Sequence, residues 1–564
     1  MHNALSSLRQ WLSAEKLDAF ILPRADLFLG EYVAPHDEML AWLTGFTGSA
    51  GFAVVTQNNG FLYTDGRYQI QAKQELNGSG FELHHSGQAS WQEDISDALP
   101  NGGRLGFDPW LHSIAWRDQV FKKFSNTKII PVAVDNNPAN SLWEERPAIS
   151  LAPAEIYPLP LAGKSSAEKC EAIAAQLKLD KMHAELINDP TLTAWLLNIR
   201  GRDVPFIPVA QARCILYATG QIELFIHLQK FNDRLRAAFD GHLSIRPPGD
   251  ITRALELLRG KHVRMDGHNT PVALRTIAQN YGVLVDVSTS TIPLARAQKN
   301  ETEMHGMVQA HRRDAAALSS IFSNIQTFVG QTEHALALAI AASRAKQADY
   351  VDESFPAIVG WNGNGAIVHY RPDKKQSAVI GNSGILLIDS GGQYRDGTTD
   401  ITRTFAIGTP TPRQREVYTR VLKGHLAIAR AKFPVGTTGH QLDALARQFL
   451  WEAGLDYDHG TGHGVGCFLS VHEGPQSISN RHKAAVLLPG MVLSNEPGCY
   501  IPGEFGVRIE NLECVVPSAD DGFLEFKTIT LAYYDENLFE PSLLTAQEYE
   551  QINQYHRRVK EVIQ

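Results

Sequence analysis

The amino-acid sequence predicts a mixed α/β and α+β protein, in which two similar α/β domains precede one large α+β domain. The chain has 564 residues, which is too long for a single hydrophobic core. Short strings from the first part of the chain recur in the second part, and Gly-rich strands and turns dominate 355–410 and 459–515. We therefore expect domains at 1–150, 151–298 and 299–564.

The first two domains share landmarks that occur in the same order, which is the pattern of an internal duplication. The first copy contains Leu17-Asp18, Ala41-Trp42-Leu43 and Leu62-Tyr63, and the second contains Leu179-Asp180, Ala194-Trp195-Leu196 and Leu216-Tyr217. A helical segment precedes each copy, at 4–16 and at 166–178, and strand-like apolar runs follow. We interpret 131–160, which is rich in Pro, Ala and Asn, as the connection between the two domains.

In the last domain, the spacing of apolar residues predicts helices around the Gly-rich stretches. A helical pattern begins at Glu301 and continues to Ile325. Further helices are predicted at 411–432 and 438–453, and a charged helix at 546–563.

The composition excludes several classes of protein. With a net charge of −9 and no run of Lys and Arg, the chain is not expected to bind nucleic acid. Its five cysteines include no CxxC pair, which favours reduced thiols over a disulfide framework. Residues 1–17 lack the apolar core of a signal sequence, and the longest clean apolar stretch, Ala335–Ala342, is too short to cross a bilayer. We expect a soluble, cytoplasmic protein that binds no membrane.

Two aspartates follow each other closely in the last domain. Asp389 ends an apolar strand, and Asp400 arrives after a turn that contains Gly391, Gly392 and Gly397. A hairpin can bring the two acids side by side, where they repel each other unless a proton or a cation lies between them. A single aspartate at a strand end is usually only a turn residue, so the pair is the informative feature.

One imidazole and two more carboxylates occur in similar settings. His463 lies in the Gly-rich string 459–466, Glu496 ends an apolar strand, and Glu510 shares one face of a strand with Arg508. Glycines on both sides let the backbone approach closely and expose the imidazole. The string 459–466 lacks the ending of a phosphate loop, and the chain has no HExxH zinc motif. A surface ion pair is the simpler alternative for Arg508 and Glu510.

Together, four carboxylates and one imidazole form a donor set suited to divalent metals: Asp389, Asp400, His463, Glu496 and Glu510. Oxygen-rich sites favour Mn²⁺, and one imidazole leaves Zn²⁺, Co²⁺ or Fe²⁺ as alternatives. Because the carboxylates carry about four negative charges, two divalent ions balance the set better than one. The residues therefore predict a dinuclear metallohydrolase.

These residues lie in strings that resemble the signatures of the pita-bread metallopeptidases, and specifically of the long, three-domain Xaa-Pro aminopeptidase (aminopeptidase P) family. The strings of the last domain are Asp389-Ser-Gly-Gly-Gln-Tyr, Asp396-Gly-Thr-Thr-Asp400-Ile-Thr-Arg-Thr, His459-Gly-Thr-Gly-His463-Gly-Val-Gly, Asn495-Glu496-Pro-Gly and Gly506-Val-Arg-Ile-Glu510-Asn. Those of the first domain are Glu31-Tyr-Val-Ala-Pro, Gly45-Phe-Thr-Gly-Ser-Ala-Gly and Thr64-Asp-Gly-Arg-Tyr. The resemblance covers most of the chain and implies two creatinase N-terminal-like domains before a pita-bread catalytic domain.

The resemblance also implies a role for each metal-binding candidate. Asp400 and Glu510 would bridge two metal ions. Asp389 would complete the shell of one ion, and His463 and Glu496 would complete that of the other.

For the substrate, the resemblance implies contacts with His369, His459, His472, Tyr500, Arg508 and Phe355. His369 and His472 would lie beside the metals and stabilise the tetrahedral intermediate, and Arg508 and Tyr500 would line the proline side. From the residues alone, His369 is better explained as a hydrogen-bonded histidine in a strand. The family often has Tyr where Cys499 stands, and Cys467 follows the glycine loop, so both thiols would lie near the site and be open to oxidation.

The implied activity is release of the N-terminal residue from peptides that have proline in the second position. In the expected mechanism, water activated by the two ions attacks the carbonyl group of the first residue. Glu496 accepts a proton and passes it to the proline nitrogen, while His369 and His472 donate hydrogen bonds to the developing charge. The expected partners are peptides with N-terminal Xaa-Pro, and the family pattern implies a homodimer.

Four other functions stay open at this point. Prolidases have the same metals and cut only dipeptides, but prolidase-like chains usually have one N-terminal domain. Methionine aminopeptidases are generally shorter. Non-catalytic binding proteins with the pita-bread fold lose the metal ligands, and the acids retained here argue likewise against a metal-free hydrolase of creatinase type.

Overall fold

The computed structural model describes residues 2–239, 241–375, 377–481 and 484–563. The chain divides into two compact units, one formed by Met1–Leu159 with Lys164–Ile292 and the other by Pro160–Gly163 with Pro293–Gln564. The first unit contains the two predicted α/β domains apart from the short segments 160–163 and 293–298, which belong to the second unit together with the predicted α+β domain. The domain boundaries expected at 150 and 298 stay predictions.

The first α/β domain alternates helices with short strands. Its elements are α1 (His2–Ala14), β1 (Ala19–Pro23), α2 (Met39–Thr44), β2 (Phe52–Thr56), β3 (Gly60–Thr64), α3 (Gln69–Glu75), β4 (Glu82–His85), α4 (Trp91–Ala98), β5 (Gly103–Phe107), α5 (Ile114–Phe124), β6 (Ile129–Ala133) and α6 (Ala139–Leu142).

The second α/β domain has the same kind of alternation. Its elements are β7 (Glu155–Ile156), α7 (Leu159–Ala162), α8 (Ser166–Leu179), β8 (Ala184–Ile187), α9 (Pro190–Leu197), β9 (Ile199–Arg200), β10 (Arg213–Tyr217), β11 (Ile222–Phe225), α10 (Asp233–Ala237), β12 (Leu243–Arg246), α11 (Ile251–Leu257), β13 (His262–Met265), α12 (Val272–Asn280) and β14 (Leu284–Val287).

The two domains have one topology. Their sheets have the orders β4-β3-β2-β1-β5-β6 and β12-β11-β10-β8-β13-β14. The central strand β1 is antiparallel to β2 and parallel to β5, and the central strand β8 is likewise antiparallel to β10 and parallel to β13. Because strand order and direction agree throughout, the predicted pair of similar α/β domains is confirmed.

One landmark of the predicted repeat was matched wrongly. Leu62 and Tyr63 lie in β3, whereas Leu216 and Tyr217 lie in β10, which corresponds to β2. The two strands of a hairpin are both short and apolar, so sequence strings alone do not distinguish one from the other.

The predicted connection 131–160 also begins too early. Pro131 lies in β6 and pairs with Leu105 of β5. Since β6 is the edge strand of its sheet, a proline is tolerated there without loss of an internal hydrogen bond.

The last region contains the longer helices. Its elements are α13 (Ile292–Ala297), α14 (Glu301–Phe322), α15 (Glu333–Arg344), β15 (Tyr350–Glu353), β16 (Ile358–Trp361), β17 (Gly384–Ser390), β18 (Gly392–Tyr394), β19 (Gly397–Thr398), β20 (Ile401–Ile407), α16 (Pro412–Ala429), β21 (Lys432–Pro434), α17 (Gly439–Trp451), β22 (Gly462–Gly464), β23 (Glu473–Ile478), β24 (Val492–Asn495), β25 (Gly498–Ile501), β26 (Phe505–Arg508), β27 (Asn511–Pro517), β28 (Phe523–Thr528) and α18 (Ala546–Ile563).

Sheets of this region carry the candidate functional residues at the ends of their strands. A three-stranded sheet has the order β16-β17-β20, and a six-stranded sheet has the order β21-β28-β27-β24-β22-β23. Strands β15, β18 and β19 form a further sheet, and β25 pairs with β26. The pairs β17–β20 and β24–β27 are antiparallel. In each pair the end of the first strand therefore lies beside the start of the second strand.

Helix α16 packs its apolar side into the core of this region. Val417, Val421 and Leu426 are buried in one cluster with Val507 of β26 and Ile552 of α18. Val417 and Val421 lie one turn apart on the same side of the helix, which is the spacing that predicted this element correctly.

Helix α14 begins at a reciprocal cap. The Asn300 side chain accepts hydrogen bonds from backbone N–H groups of the first turn, and the Glu303 carboxylate accepts one from the Asn300 N–H. Thr411 and Gln414 form the same arrangement at α16. The predicted start of α14 is therefore confirmed, while its end lies at Phe322 instead of residue 325.

Among the described residues, no helix is both long enough and apolar enough to cross a membrane.

Replacing Asn300 by alanine removes the cap of α14 and also the bond from its amide to the carbonyl of Ala162. We expect the free energy of unfolding to fall by about 1–2 kcal/mol, because the cap alone contributes about 1 kcal/mol. Thr411→Ala, which removes the same kind of cap from α16, is the matched control. Urea unfolding followed by circular dichroism measures both, and an unchanged midpoint for Asn300→Ala would contradict this expectation.

Candidate metal centre

The two candidate aspartates lie at one end of an antiparallel strand pair. In the β17–β20 ladder, Asp389 lies opposite Thr402 and Ser390 lies opposite Ile401. Asp400 immediately precedes β20, so both carboxylates reach the same end of the sheet. Both are buried, with 7% and 4% of their surface exposed. The predicted pairing of the two acids is therefore present in the fold.

His463 lies in the short strand β22 between two glycines. A Cβ atom on Gly462 would collide with the carbonyl oxygen of Ser494, and one on Gly464 would collide with that of Glu473. The glycines therefore allow the neighbouring strands to approach, as the sequence predicted. The His463 ring nitrogen Nδ1 lies 3.0 Å from the carbonyl oxygen of Gly464, so in the neutral ring Nδ1 carries the proton and Nε2 has the lone pair that a metal ion would use.

Glu496 and Glu510 lie just beyond one end of a strand ladder, Glu496 directly after β24 and Glu510 directly before β27. The β24–β27 ladder closes with Asn495 opposite Asn511, and the glutamates are the next residues outward. The expectation that Glu510 lies on a strand was wrong, because β26 ends at Arg508 and β27 begins at Asn511. Its backbone N–H donates instead to the carbonyl oxygen of Thr402 at 3.1 Å, which ties Glu510 to β20.

The candidate ligands converge from the two sheets. Ligand atoms of Asp400, His463 and Glu510 all lie within 4.8 Å of one another. The His463 Nε2 atom lies 3.5 Å from Asp400 Oδ2 and 3.5 Å from Glu496 Oε1. Asp389 is close enough to Asp400 and Glu496 for their charges to act on its pKa.

The electrostatics of the centre reflect burial and repulsion. Burial raises the pKa of Asp389 to about 7, opposed by the positive charge of Arg508 and reinforced by the negative charge of Asp400. Burial, followed by the charges of the neighbouring carboxylates, raises the pKa of Glu510 well above its ordinary value. Burial opposes the charged form of His463, but the Asp400 and Glu496 carboxylates outweigh it and raise its pKa to about 9. The centre therefore needs positive charge, as protons or as cations.

Three carboxylate oxygens show whether the residues of the centre suit divalent ions. Asp389 Oδ1, Asp400 Oδ1 and Glu510 Oε1 are buried, and none of them has a hydrogen-bond partner in the described structure. Buried carboxylate oxygens without donors are costly, and a hard cation is the partner that suits a set of oxygens with one imidazole. The residues present therefore fit divalent metal ions, and their charge fits a pair.

Arg508 is part of the support of this centre. Its Nη2 atom lies 2.6 Å from Asp389 Oδ2, its Nη1 atom donates to the Tyr500 hydroxyl at 2.7 Å, and only 1% of its surface is exposed. The alternative of a surface ion pair with Glu510 is therefore wrong. The Tyr500 hydroxyl lies 2.8 Å from His459 Nε2, so a continuous chain of hydrogen bonds runs from His459 to Asp389.

Of the remaining substrate candidates, His472 lies beside a candidate ligand, whereas His369 and Phe355 are placed through the contacts of their neighbours in the chain. The His472 ring lies 4.3 Å from that of His463, with the two planes 78° apart. His369 is half-buried and lies in a turn, so its interpretation as a strand residue was wrong. The carbonyl oxygen of the preceding Val368 accepts a hydrogen bond from Arg508 at 3.3 Å. Phe355 is buried and follows Ser354, whose N–H donates to Gly391.

Three contributors were missed by the sequence analysis. The Thr402 hydroxyl donates to Glu510 Oε2 at 2.9 Å, and the Ser494 hydroxyl donates to Glu496 Oε1 at 3.1 Å and accepts from the His463 N–H. Both lie two residues from a candidate ligand, so strand alternation could have indicated them. Glu473, next to His472, is buried and pairs with Lys299 at 2.5 Å, which fixes the strand that follows His472.

The two thiols near the centre are enclosed. Cys467 and Cys499 are both buried, and all five cysteines are free. Burial raises the pKa of Cys499 to about 11, which keeps this thiol protonated near neutral pH. A protonated, enclosed thiol is a weak nucleophile, so the structure argues against ready oxidation of Cys499.

Comparison with protein families matches all parts of the chain. The model described as Metallopeptidase family M24 matches residues 305–517, and that of the C-terminal region of peptidase_M24 matches 522–564. Two models described as Creatinase/Prolidase N-terminal domain match 5–135 and 145–303. The predicted fold class, two creatinase-like domains before a pita-bread domain, is confirmed.

Individual relatives agree with this assignment. A probable Xaa-Pro aminopeptidase P of Fusarium vanettenii is 37% identical and aligns over 98% of this chain and 94% of its own. The X-prolyl aminopeptidase of Caenorhabditis elegans, described as a cytosolic enzyme with a di-nuclear active site, has a TM-score of 0.94 at 33% identity, covering 99% of this chain and 95% of that chain. The prolidase of Pyrococcus furiosus shares the fold, with a TM-score of 0.53 at 23% identity over 64% of this chain and 99% of its own.

Metal binding should release protons from this centre. Below pH 7, Asp389, Glu510 and His463 hold protons in the metal-free site, because their pKa values are raised. Apparent affinity for Mn²⁺ should therefore rise as pH increases from 6 to 8 and level off above the His463 pKa of about 9. Competition with a chromophoric chelator measures this affinity, and a constant value across the range would contradict the assignment.

Proposed function

This chain belongs to metallopeptidase family M24, and we propose that it is a metal-dependent aminopeptidase that releases the N-terminal residue from peptides with proline in the second position. The observation that carries the proposal is the cluster of buried Asp400 and Glu510 with half-buried His463, which has Glu496 beside it and buried carboxylate oxygens without hydrogen-bond partners among the described residues. The full-length likeness to Xaa-Pro aminopeptidases supplies the substrate class.

We infer that Asp389, Asp400, His463, Glu496 and Glu510 hold two divalent ions. Mn²⁺ is the proposed ion, since four of the five donors are carboxylates, and Zn²⁺ and Co²⁺ are the alternatives. When bound, the two ions supply Lewis-acid activation of a water molecule and of the scissile carbonyl group.

The proposed roles of the protein groups follow from their positions. Glu496 is half-buried, and its Oε1 atom accepts from Ser494, which leaves its other oxygen to take a proton from the attacking water. The same carboxyl group then gives the proton to the proline nitrogen that leaves. His369 and His472 donate hydrogen bonds to the oxygen that gains negative charge.

The side of the pocket that accepts proline is proposed to contain Tyr500, His459, Arg508 and Phe355. The ring of Tyr500 lies 5.5 Å from that of His459, and Arg508 fixes the hydroxyl of Tyr500. Two aromatic rings whose planes lie 60° apart can offer a ring face and a ring edge for packing against a pyrrolidine ring. Because proline has no backbone N–H when it follows another residue, the pocket needs no hydrogen-bond acceptor at that position.

An Xaa-Pro dipeptidase of prolidase type is the alternative function, because prolidase shares the fold. Two observations favour the aminopeptidase: the chain carries two N-terminal α/β domains, and it aligns with Xaa-Pro aminopeptidases over almost its whole length. We further propose domains at 1–150, 151–298 and 299–564, a cytoplasmic location and a homodimer. Light scattering after size-exclusion chromatography tests the homodimer.

A panel of Xaa-Pro peptides of increasing length separates the two activities. We expect Mn²⁺-dependent release of the first residue from peptides of three or more residues, with little hydrolysis of an Ala-Pro dipeptide. Peptides with alanine in place of proline are the control and should be cleaved much more slowly. Cleavage restricted to dipeptides would support the prolidase alternative, and no cleavage with any divalent ion would refute the enzyme.

Glu496→Gln tests the proton-transfer role. We expect kcat to fall by about 10²–10⁴-fold, since the amide keeps an oxygen for the metal but holds no transferable proton. Glu504→Gln, an exposed position in the turn between β25 and β26, is the matched control and should keep full activity. Metal content measured by mass spectrometry shows whether Glu496→Gln still binds ions; normal kcat with bound metal would exclude the role.

A further inference from the structure

A buried polar layer lies behind the strand ends that adjoin Glu496 and Glu510; we call it the back layer. It contains Arg403, His425, Asn495, Asn511, Tyr534 and Tyr555. Because neighbouring side chains of a strand point to opposite faces, Asn495 and Asn511 turn away from the face used by the glutamates. They form the last pair of the β24–β27 ladder and are almost completely buried.

His425 of α16 contacts both of these strands. Its ring Nδ1 lies 2.9 Å from the carbonyl oxygen of Asn495, and its own carbonyl oxygen accepts from the Asn495 side-chain amide at 2.9 Å. Its ring Nε2 lies 3.1 Å from the amide nitrogen of Asn511. One fully buried side chain therefore bridges the residue before Glu496 and the residue after Glu510.

The hydrogen bonds define the protonation of His425. A carbonyl oxygen only accepts, so Nδ1 carries the proton, and Nε2 accepts from Asn511 and from the Tyr534 hydroxyl, which lies 3.0 Å away. Burial, together with the charge of Arg403, lowers the pKa of His425 to about 3. The ring is therefore neutral, and both of its nitrogens are used by the two strands and their support.

Arg403 completes the layer from β20. Its Nη1 atom donates to the carbonyl oxygen of Glu510 at 2.7 Å, and its Nη2 atom donates to Asn511 Oδ1 at 2.8 Å and to the Tyr555 hydroxyl at 2.9 Å. The side chain is fully buried. Arg403 thus ties Glu510 to the three-stranded sheet, while His425 contacts the end of β24 and the start of β27.

We propose that His425 is a positioning residue for the metal centre: through Asn495 and Asn511 it sets the separation of the Glu496 and Glu510 carboxylates. Two cations bind tightly only when their ligands are held within a narrow range of positions. The contacts of His425 with the two strand ends, which we call the clamp, therefore control how tightly the ions bind. The inference rests on the proposed metal site and assigns a role to a residue outside it.

Three variants of His425 test the clamp in graded steps. His425→Leu fills the space but removes the ring donor to the Asn495 carbonyl and leaves the Asn511 amide nitrogen with only the Tyr534 hydroxyl as acceptor. His425→Asn offers a donor near the position of Nδ1 and loses the acceptor for Asn511, whereas His425→Gln offers an acceptor near Nε2. His112→Leu in the first unit is the matched control, because His112 is also buried and its Nδ1 lies 2.8 Å from a carbonyl oxygen, that of Asp108.

Mn²⁺ affinity, measured by competition with a chelator at a temperature where each variant is folded, is the primary measurement. We expect about a 10- to 100-fold weaker affinity for His425→Leu, as is typical when the support of metal ligands is removed. The Asn and Gln variants should show smaller losses, and kcat at saturating Mn²⁺ should fall in the same order. His112→Leu should lower the thermal midpoint and keep the wild-type affinity.

Wild-type Mn²⁺ affinity in all folded His425 variants would overturn the proposal. If His425→Leu does not fold, the Asn and Gln variants decide between loss of affinity, which supports the clamp, and unchanged affinity, which refutes it. A wild-type protein that binds no divalent ion would instead refute the proposed function, so the two failures are distinguishable.

Discussion

The repulsion between carboxylates that are buried side by side is the constraint on which the rest of the catalytic region depends. Asp389, Asp400 and Glu510 are almost fully enclosed, and each has an oxygen without a donor. Arg508 and His463 offset only part of this negative charge, and the buried carboxylates are cut off from water, so the group needs further positive charge. Protons relieve the repulsion at low pH, and divalent cations relieve it near neutral pH while providing the chemistry of peptide hydrolysis.

The surrounding structure holds these ligands by contacts that cross from one sheet to the other. Arg508 pairs with Asp389 of the three-stranded sheet, and Thr402 of the same sheet donates to Glu510, which precedes β27 of the six-stranded sheet. Behind the strands, Arg403 donates to the carbonyl oxygen of Glu510, and His425 contacts Asn495, the neighbour of Glu496. Asp389 and Glu510 are therefore both restrained by partners from a second element, which favours a preformed site over one that the metal has to assemble.

The N-terminal unit shows how far a fold can be conserved within one chain while its sequence diverges. The two sheets have the same strand order and directions, but few short sequence strings match between them. One of the matched strings lies in strands that do not correspond to each other in the two sheets. Such a sheet requires strand residues whose side chains fit its buried and alternating positions, and many different apolar residues meet this requirement. The duplication was detectable from the Ala-Trp-Leu strings that lie in helices α2 and α9, but strand by strand it became visible only in the topology.

The sequence by itself determined the elements and the ligand types. Helices α14, α16 and α18 follow from apolar spacing and capping residues, and the five metal candidates follow from acids and an imidazole at strand ends among glycines. Only the tertiary structure decided the partners. In the folded protein Arg508 pairs with Asp389 instead of Glu510, and His369 lies in a turn. His425 lies behind strands that are distant from it in the sequence. The physical reason is that spacing along the chain reports periodicity and local turns, whereas ion pairs and buried hydrogen bonds are chosen among groups that meet only after the sheets pack.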